Sequence, residues 1–202
     1  MLKMNWEELL EEYLLELVVR GYTERTIEGY KSTLTRVSKY FAEQGIDPLQ
    51  VKKQHLKRWV VHCMDSGYGA YTINKMLTTV KGMYAYCISE EYLTVNPCIG
   101  VPNQRRDRKI IYPLNDSEIK QILHVAAQHP YPLLRHRNKV ILMLMLDCGL
   151  RIGEVERLNE GDVLQNQLYI KKAKNRKERA VALSPATKKA IMQYVRQKRR
   201  LG

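Results

Sequence analysis

Long apolar runs are missing from this chain. No stretch approaches the ~18 uncharged apolar residues that a membrane-spanning helix needs. The first residues, Met1-Leu2-Lys3-Met4-Asn5-Trp6-Glu7-Glu8, are acidic and lack the apolar core of a signal peptide. Cysteine is scarce and scattered: Cys63, Cys87, Cys98 and Cys148 form no C-x-x-C pair. That spacing predicts neither a zinc site nor a disulfide framework, and thiols in apolar contexts act as small hydrophobes. There is no internal repeat and no low-complexity segment. Acidic residues are also few, 21 Asp+Glu against 34 Lys+Arg, for a formal net charge of +13 in 202 residues. Such a surplus predicts an anionic partner, of which nucleic acid is the commonest inside cells and a membrane surface the competitor. Cytoplasmic residence with no membrane association is the expectation.

What is present is helical periodicity, enough for one large domain or two small ones. Leu9, Leu10, Tyr13, Leu14, Leu17 and Val18 repeat at helical spacing, as do Ile27, Tyr30, Leu34, Val37 and Phe41. Gly21 separates the two, and Thr23 is a plausible cap for the second. A third helix is predicted from about Gln54 to Met64, broken at Ser66-Gly67. A fourth carries Ile73, Leu77, Val80, Tyr84 and Cys87 on its buried face and stops at Asn96-Pro97. Residues 1–97 therefore read as a helical domain. Residues 98–112, with Pro102 and the cluster Arg105, Arg106, Arg108 and Lys109, read as a basic interdomain linker. Residues 113–202 read as a second domain, opened by a capping box at Asn115 and Glu118. Helices follow near Asp116–Gln128 and Leu133–Cys148. The period then changes: Gln167–Ile170 and Arg179–Leu183 look like two short strands joined by the basic stretch Lys171 to Lys177. Ser184-Pro185 opens a last helix reaching about Arg199.

The segment Leu146 to Val155 is the most informative. An apolar run from Val140 leads into Gly149, a residue able to end one helix at positive φ. Arg151 is then expected to start a short helix to Leu158, with Glu154 at i+3 on the same side. One use of this arrangement is a corner held by an Arg–Glu pair. The other is a rigid fork of donors aimed at a phosphate.

At these residues the chain resembles the tyrosine recombinases of the phage-integrase family, over nearly its whole length. Thr26-Ile27-x-x-Tyr30 and Thr72-Ile73-Asn74-Lys75 resemble the family's helical core-binding (SAM-like) domain. Cys148-Gly149-Leu150-Arg151-Ile152-Gly153-Glu154 resembles the motif that carries the first catalytic arginine. Aligned on Lys177-Glu178-Arg179, the family's β-hairpin lysine falls on Lys174; both glycines of that pattern are replaced here, which keeps Lys172 as the alternative. The resemblance implies a mainly α fold: a helical core-binding domain plus a partial α+β catalytic domain with a small antiparallel sheet. It also implies metal-free and cofactor-free chemistry. A tyrosine attacks a DNA phosphodiester, giving a phosphotyrosyl link and a free 5′ hydroxyl. In that scheme Arg151 stabilises charge on the phosphorane, at roughly 3 kcal/mol by analogy with oxyanion-hole donors. Lys174 protonates the leaving oxygen, or is a solvated charge that merely touches phosphate. Glu154 orients the active-site groups.

The family's His-x-x-Arg motif and nucleophilic tyrosine are expected downstream of the last helix, and the 202 residues end before them. His55-Leu56-Lys57-Arg58 matches the pattern but precedes Arg151, so it is read as a chance match. Tyr169 on a strand and Tyr194 on the last helix do not match the nucleophile's context. The expectation is a C-terminally truncated recombinase that binds double-stranded DNA, as a homo-oligomer on the DNA in one version, without cutting it. The alternative is a non-catalytic regulator or remnant that occupies recombination sites. For contact with DNA the sequence nominates Asn74, Lys75, Thr78 and Lys81 on the fourth helix, where Asn can read adenine and Lys can meet guanine or phosphate. It adds Arg105, Arg106, Arg108 and Lys109 where the linker crosses the duplex between two closing domains. Arg25, Thr26 and Lys31 on the second helix are weaker candidates.

Overall fold

The computed structural model describes residues 5–106, 110–171 and 178–201. The chain divides into two compact units, 1–109 and 110–202, each considered by itself. In the first unit, α1 (Trp6–Val19), α2 (Glu24–Glu43), α3 (Lys53–Asp65) and α4 (Ala70–Ser89) follow one another, with a 3₁₀ turn at Pro48–Gln50. Local chemistry sets their ends. Asn5 and Glu8 exchange two hydrogen bonds at the start of α1, the Asn5 N–H donating to the Glu8 carboxylate (3.0 Å) and the Glu8 N–H to Asn5 Oδ1 (2.9 Å). Gly21, at φ 75°, lets Tyr22 N–H return to the Leu17 carbonyl at 3.0 Å and closes α1. Thr23 then caps α2.

The apolar stripes meet in one core, in which Trp59, Tyr84, Phe41, Leu9, Leu17, Leu34, Leu56 and Leu77 are almost wholly enclosed. Burial of such side chains stabilises by about 1.5–3 kcal/mol each against leaving them in water. The expected stripe on α4 is buried at every position. On α1 the stripe is narrower than expected, since Val18 is exposed. The Tyr84 hydroxyl reaches the Pro48 carbonyl at 2.8 Å, and Tyr92 donates to Glu12 at 2.7 Å, tying the segment after α4 back to α1. Cys98 and Val101, read from sequence as the start of a linker, are buried in this core. The buried core of the first unit thus extends past Asn96-Pro97 as far as Val101.

The second unit contains α5 (Asp116–Ala127), α6 (Pro132–Asp147), α7 (Ile152–Val155), a 3₁₀ turn at Glu160–Asp162, strands β1 (Gln167–Ile170) and β2 (Arg179–Ala182), and α8 (Pro185–Arg199). The strands pair antiparallel, with Gln167 opposite Ala182 and Ile170 opposite Arg179. Val140 and Leu144 of α6 pack against Leu150, Leu168, Ile170, Leu183, Ala190 and Ile191. Thr187 is fully buried and donates to the Asp147 carboxylate at 2.7 Å, joining the first turn of α8 to the end of α6. Bonds from Ser184 and Thr187 hold the Asp147 carboxyl below its ordinary range. Among the described residues no helix is long and apolar enough to cross a membrane.

Helix α6 departs from the burial its sequence suggests. Of the run Ile141 to Leu146, Leu144 alone is buried, while Met145 and Leu146 are exposed. Ile141 and Leu144, with Val155, Leu168, Ile191 and Val195, line an open groove of about 1260 Å³.

Candidate functional site

Gly149, at φ 63°, turns the chain out of α6, and Leu150 N–H returns to the Leu144 carbonyl at 3.3 Å. Leu150 is buried, so the turn is pinned on its apolar side and Arg151 emerges beside it. Arg151 is the cap residue of α7 rather than its first helical one, and α7 closes at Val155, short of the expected Leu158. Two of its backbone-adjacent bonds converge on one carboxylate. The Arg151 N–H donates to Glu154 Oε2 at 2.9 Å, and Arg151 Nη1 lies 3.5 Å from Oε1.

The stronger partner of Glu154 comes from elsewhere. Arg179, at the start of β2, donates Nη1 to Oε1 at 2.8 Å and Nη2 to Oε2 at 3.0 Å. This is a two-point pairing of guanidinium and carboxylate, the geometry at which arginine excels. The Glu154 side chain is 2% exposed and that of Arg151 64%. Arg179, followed by the Arg151 N–H, holds the Glu154 carboxyl down at about 2 despite its burial. Glu154 is therefore an ionised strut between β2 and the turn after Gly149, and most of the Arg151 guanidinium faces solvent, where it can meet an anion.

A second strut stands beside the first. Asp162 is buried, forms an ion pair with Lys171 (Nζ to Oδ1, 2.5 Å) and accepts the Asn159 N–H on Oδ2 at 3.0 Å. Lys171 holds its carboxyl below the ordinary range. The first lysine of the basic stretch is thereby committed to the end of β1. Lys172 and Lys174 lie outside the described residues, as do Arg108 and Lys109. On the far side of that stretch Glu178 accepts a short hydrogen bond from the Tyr169 hydroxyl, which pushes the Tyr169 pKa up.

In the first unit the nominated α4 residues do not act alike. Lys75 and Thr78 are exposed, as are Arg105 and Arg106, and the Thr78 hydroxyl turns back to the Asn74 carbonyl at 2.9 Å. Asn74 is half-buried with both functions of its amide engaged: Nδ2 donates to the Gln104 carbonyl at 2.9 Å, and Oδ1 accepts the Gln104 N–H at 2.6 Å. This pairing engages one of the two Nδ2 protons and one of the two Oδ1 lone pairs of Asn74 with the backbone of Gln104. Lys81 Nζ donates to Asn103 Oδ1 at 3.1 Å. The chance reading of His55-x-x-Arg58 has a structural counterpart, since His55 Nδ1 accepts the Lys52 N–H at 3.2 Å at the start of α3. On α2, Arg25 and Lys31 are exposed, and Thr26 shares a 2.8 Å hydroxyl contact with Thr23.

Sequence reasoning missed Arg179 as the partner of Glu154. The available signal was its place at the first position of a strand directly after the basic stretch, with a carboxylate in a short, otherwise apolar helix needing a buried counter-charge.

Residues 10–91 match the family described as phage integrase, N-terminal SAM-like domain, and residues 113–200 match the phage integrase family. Tyrosine recombinase XerD of Rickettsia bellii (strain RML369-C) is 26% identical over 196 residues, which are 93% of this chain and 64% of that protein. Tyrosine recombinase XerC of Bacillus pumilus (strain SAFR-032) is 26% identical over 196 residues, covering 96% of this chain and 63% of the relative. The chain thus spans a little under two thirds of the length of these relatives. In fold it is similar to a lambda integrase tetramer bound to a Holliday junction, with a TM-score of 0.74 at 18% identity over 93% of this chain and 53% of that one. It is also similar to the Tn1549 transposon integrase in complex with circular intermediate DNA, with a TM-score of 0.65 at 17% identity over 93% and 64%. Both halves of the chain, matched independently and in the same order, place it in the tyrosine recombinase family of phage integrases.

Proposed function

We infer that this chain binds duplex DNA and supplies the charge-stabilising half of a recombinase phosphoryl-transfer site. The observation that carries the reading is the solvent-facing Arg151 guanidinium on a turn braced by the buried Glu154–Arg179 pair. A fork held in this way loses little freedom on meeting a phosphate, and donors fixed in advance are those that stabilise developing charge. In this reading a tyrosine oxygen attacks phosphorus, the 5′ oxygen leaves with a proton from Lys174, and Arg151 pairs with the non-bridging oxygens. Glu154 positions Arg151 and does not react. Lys75, Thr78 and Lys81 of α4, with Arg105, Arg106, Arg108 and Lys109, supply the phosphate contacts, and assembly of several copies on one DNA belongs to the same picture.

The chain itself is proposed to bind without cutting, in keeping with a regulator that occupies recombination sites. Support comes from hydroxyls already engaged within the fold, those of Tyr169 on Glu178, Tyr92 on Glu12 and Tyr84 on the Pro48 carbonyl. Such a hydroxyl is further from the phenolate that attacks phosphorus.

Equilibrium binding to a labelled duplex across a salt titration tests the DNA reading. With ~6–10 phosphate contacts, affinity falls by about three to five decades between roughly 50 and 200 mM salt. An affinity that stays flat, or none at low salt, contradicts it.

A further inference from the structure

The pairing of Asn74 with Gln104 gives that side chain a task other than reading a base. An asparagine amide carries one acceptor and one two-proton donor on the same plane, so it can bond both the N–H and the carbonyl of a single residue in an extended chain. Asn74 does this to Gln104, and the Lys81 ammonium holds the preceding residue, Asn103, from a position seven residues further along α4. Positions 74, 78 and 81 share one face of that helix. Val101, two residues before Asn103, is buried in the core, so the strap is anchored on both sides of Pro102. Past Gln104 the chain continues directly into Arg105 and Arg106, both exposed.

We propose that Asn74 is a positioning residue for DNA binding: it fastens residues 103 and 104 to α4 so that Arg105 and Arg106 are presented beside Lys75 as one preformed phosphate-binding row. The inference rests on the DNA-binding reading above. Its physical content is entropic. A loose segment must be ordered when it meets the backbone of a duplex, at a cost in conformational entropy, whereas a fastened one is ordered in advance. The two arginines then count fully toward the counterions released on binding.

Salt dependence separates this role from direct contact. Asn74 is uncharged, so if it touched DNA itself, Asn74→Ala would weaken binding and leave the slope of log affinity against log salt intact. As a positioning residue, its loss makes the slope shallower by about 1–2, because each phosphate contact contributes ~0.9. The probe is a fluorescein-labelled duplex of arbitrary sequence, about 30 base pairs long, long enough to exceed a single site. A double-mutant cycle with R105A/R106A completes the test, since removing the two arginines costs much less affinity in the Asn74→Ala background than in the parent chain. Gln104→Pro removes the N–H from the other partner and gives the same shallower slope, which keeps the test available if Asn74→Ala fails to fold. An unchanged slope in a folded variant, or additive losses in the cycle, overturns the proposal while the parent chain's own salt dependence still stands. A parent chain that is itself insensitive to salt fails the DNA reading instead.

Discussion

Glu154 and Arg179 are joined by two hydrogen bonds, at 2.8 and 3.0 Å, across 25 positions of sequence, and the carboxylate between them is almost wholly enclosed. Arg151 touches the same carboxylate with its own N–H and stands in solvent. The two arginines are thus unequal: Arg179 belongs to the fold and Arg151 to the surface.

The inequality is measurable. Arg179→Ala leaves an enclosed carboxylate short of its two-point counter-charge and is expected to destabilise the second unit more than Arg151→Ala does. Arg151→Ala removes an exposed pair and is expected to cost about 0–1 kcal/mol. Both tryptophans, Trp6 and Trp59, lie in the first unit. Their fluorescence during urea unfolding serves as an internal control, and circular dichroism reads the second unit. Equal losses for the two variants would contradict the assignment.

Stability of the second unit should fall in acid. A carboxyl held near 2 in the fold, against an ordinary value near 4.3, binds protons more readily once unfolded. Its contribution is complete above the ordinary value and is lost as pH falls from about 4.5 toward 2. Asp147 and Asp162, also held low, act in the same direction. Glu154→Gln should therefore flatten the pH dependence of the unfolding midpoint between about pH 5 and 3 without abolishing it. A profile identical to that of the parent chain would contradict the ion-pair account.

Much of the first unit was legible before its structure. Ile73, Leu77, Val80, Tyr84 and Cys87 recur at helical spacing because one face of α4 must be dry, and all five are buried. The caps at Thr23, Asn115 and Ser184 were legible for a similarly local reason: a side-chain oxygen satisfies a helix-end N–H two or three residues on. Periodicity could not show the long-range polar links. Asn74 sits on the polar face of α4 as a base-reading residue would, and what commits it is the return of the chain at Gln104, 30 positions away. The Glu154–Arg179 pair depends on a strand register, and Val18 shows that a stripe read from spacing can be one residue too wide.

The groove under α6 should bind an apolar dye, because Ile141, Leu144, Val155 and Val195 line it and it is open. Met192, at its rim, is 64% exposed, so Met192→Glu should cut dye fluorescence with little change in stability. Leu144→Ala, at 3% exposure, should instead cost about 2–5 kcal/mol. Dye binding no greater than that of an ordinary compact monomer would contradict an open apolar groove.

Gly82 lies within α4, where alanine would ordinarily gain about 0.8–1 kcal/mol in helix propensity. A Cβ at this position would stand 2.6 Å from the Tyr13 hydroxyl, in a ring that is almost fully buried. Gly82→Ala is therefore expected to destabilise the parent chain and to stabilise a Tyr13→Phe variant. Thermal melts of the four proteins decide it, and the same sign in both backgrounds would show that the hydroxyl yields freely.

The most direct test uses a nicked duplex on which any covalent tyrosyl adduct is trapped. The chain is mixed with it, and the bound fraction is read before and after adding detergent. The account predicts a complex that dissolves with salt and leaves no detergent-resistant adduct, with Arg151→Ala binding nearly as well as the parent. A detergent-resistant adduct formed by these 202 residues, or no complex at low salt, would contradict it.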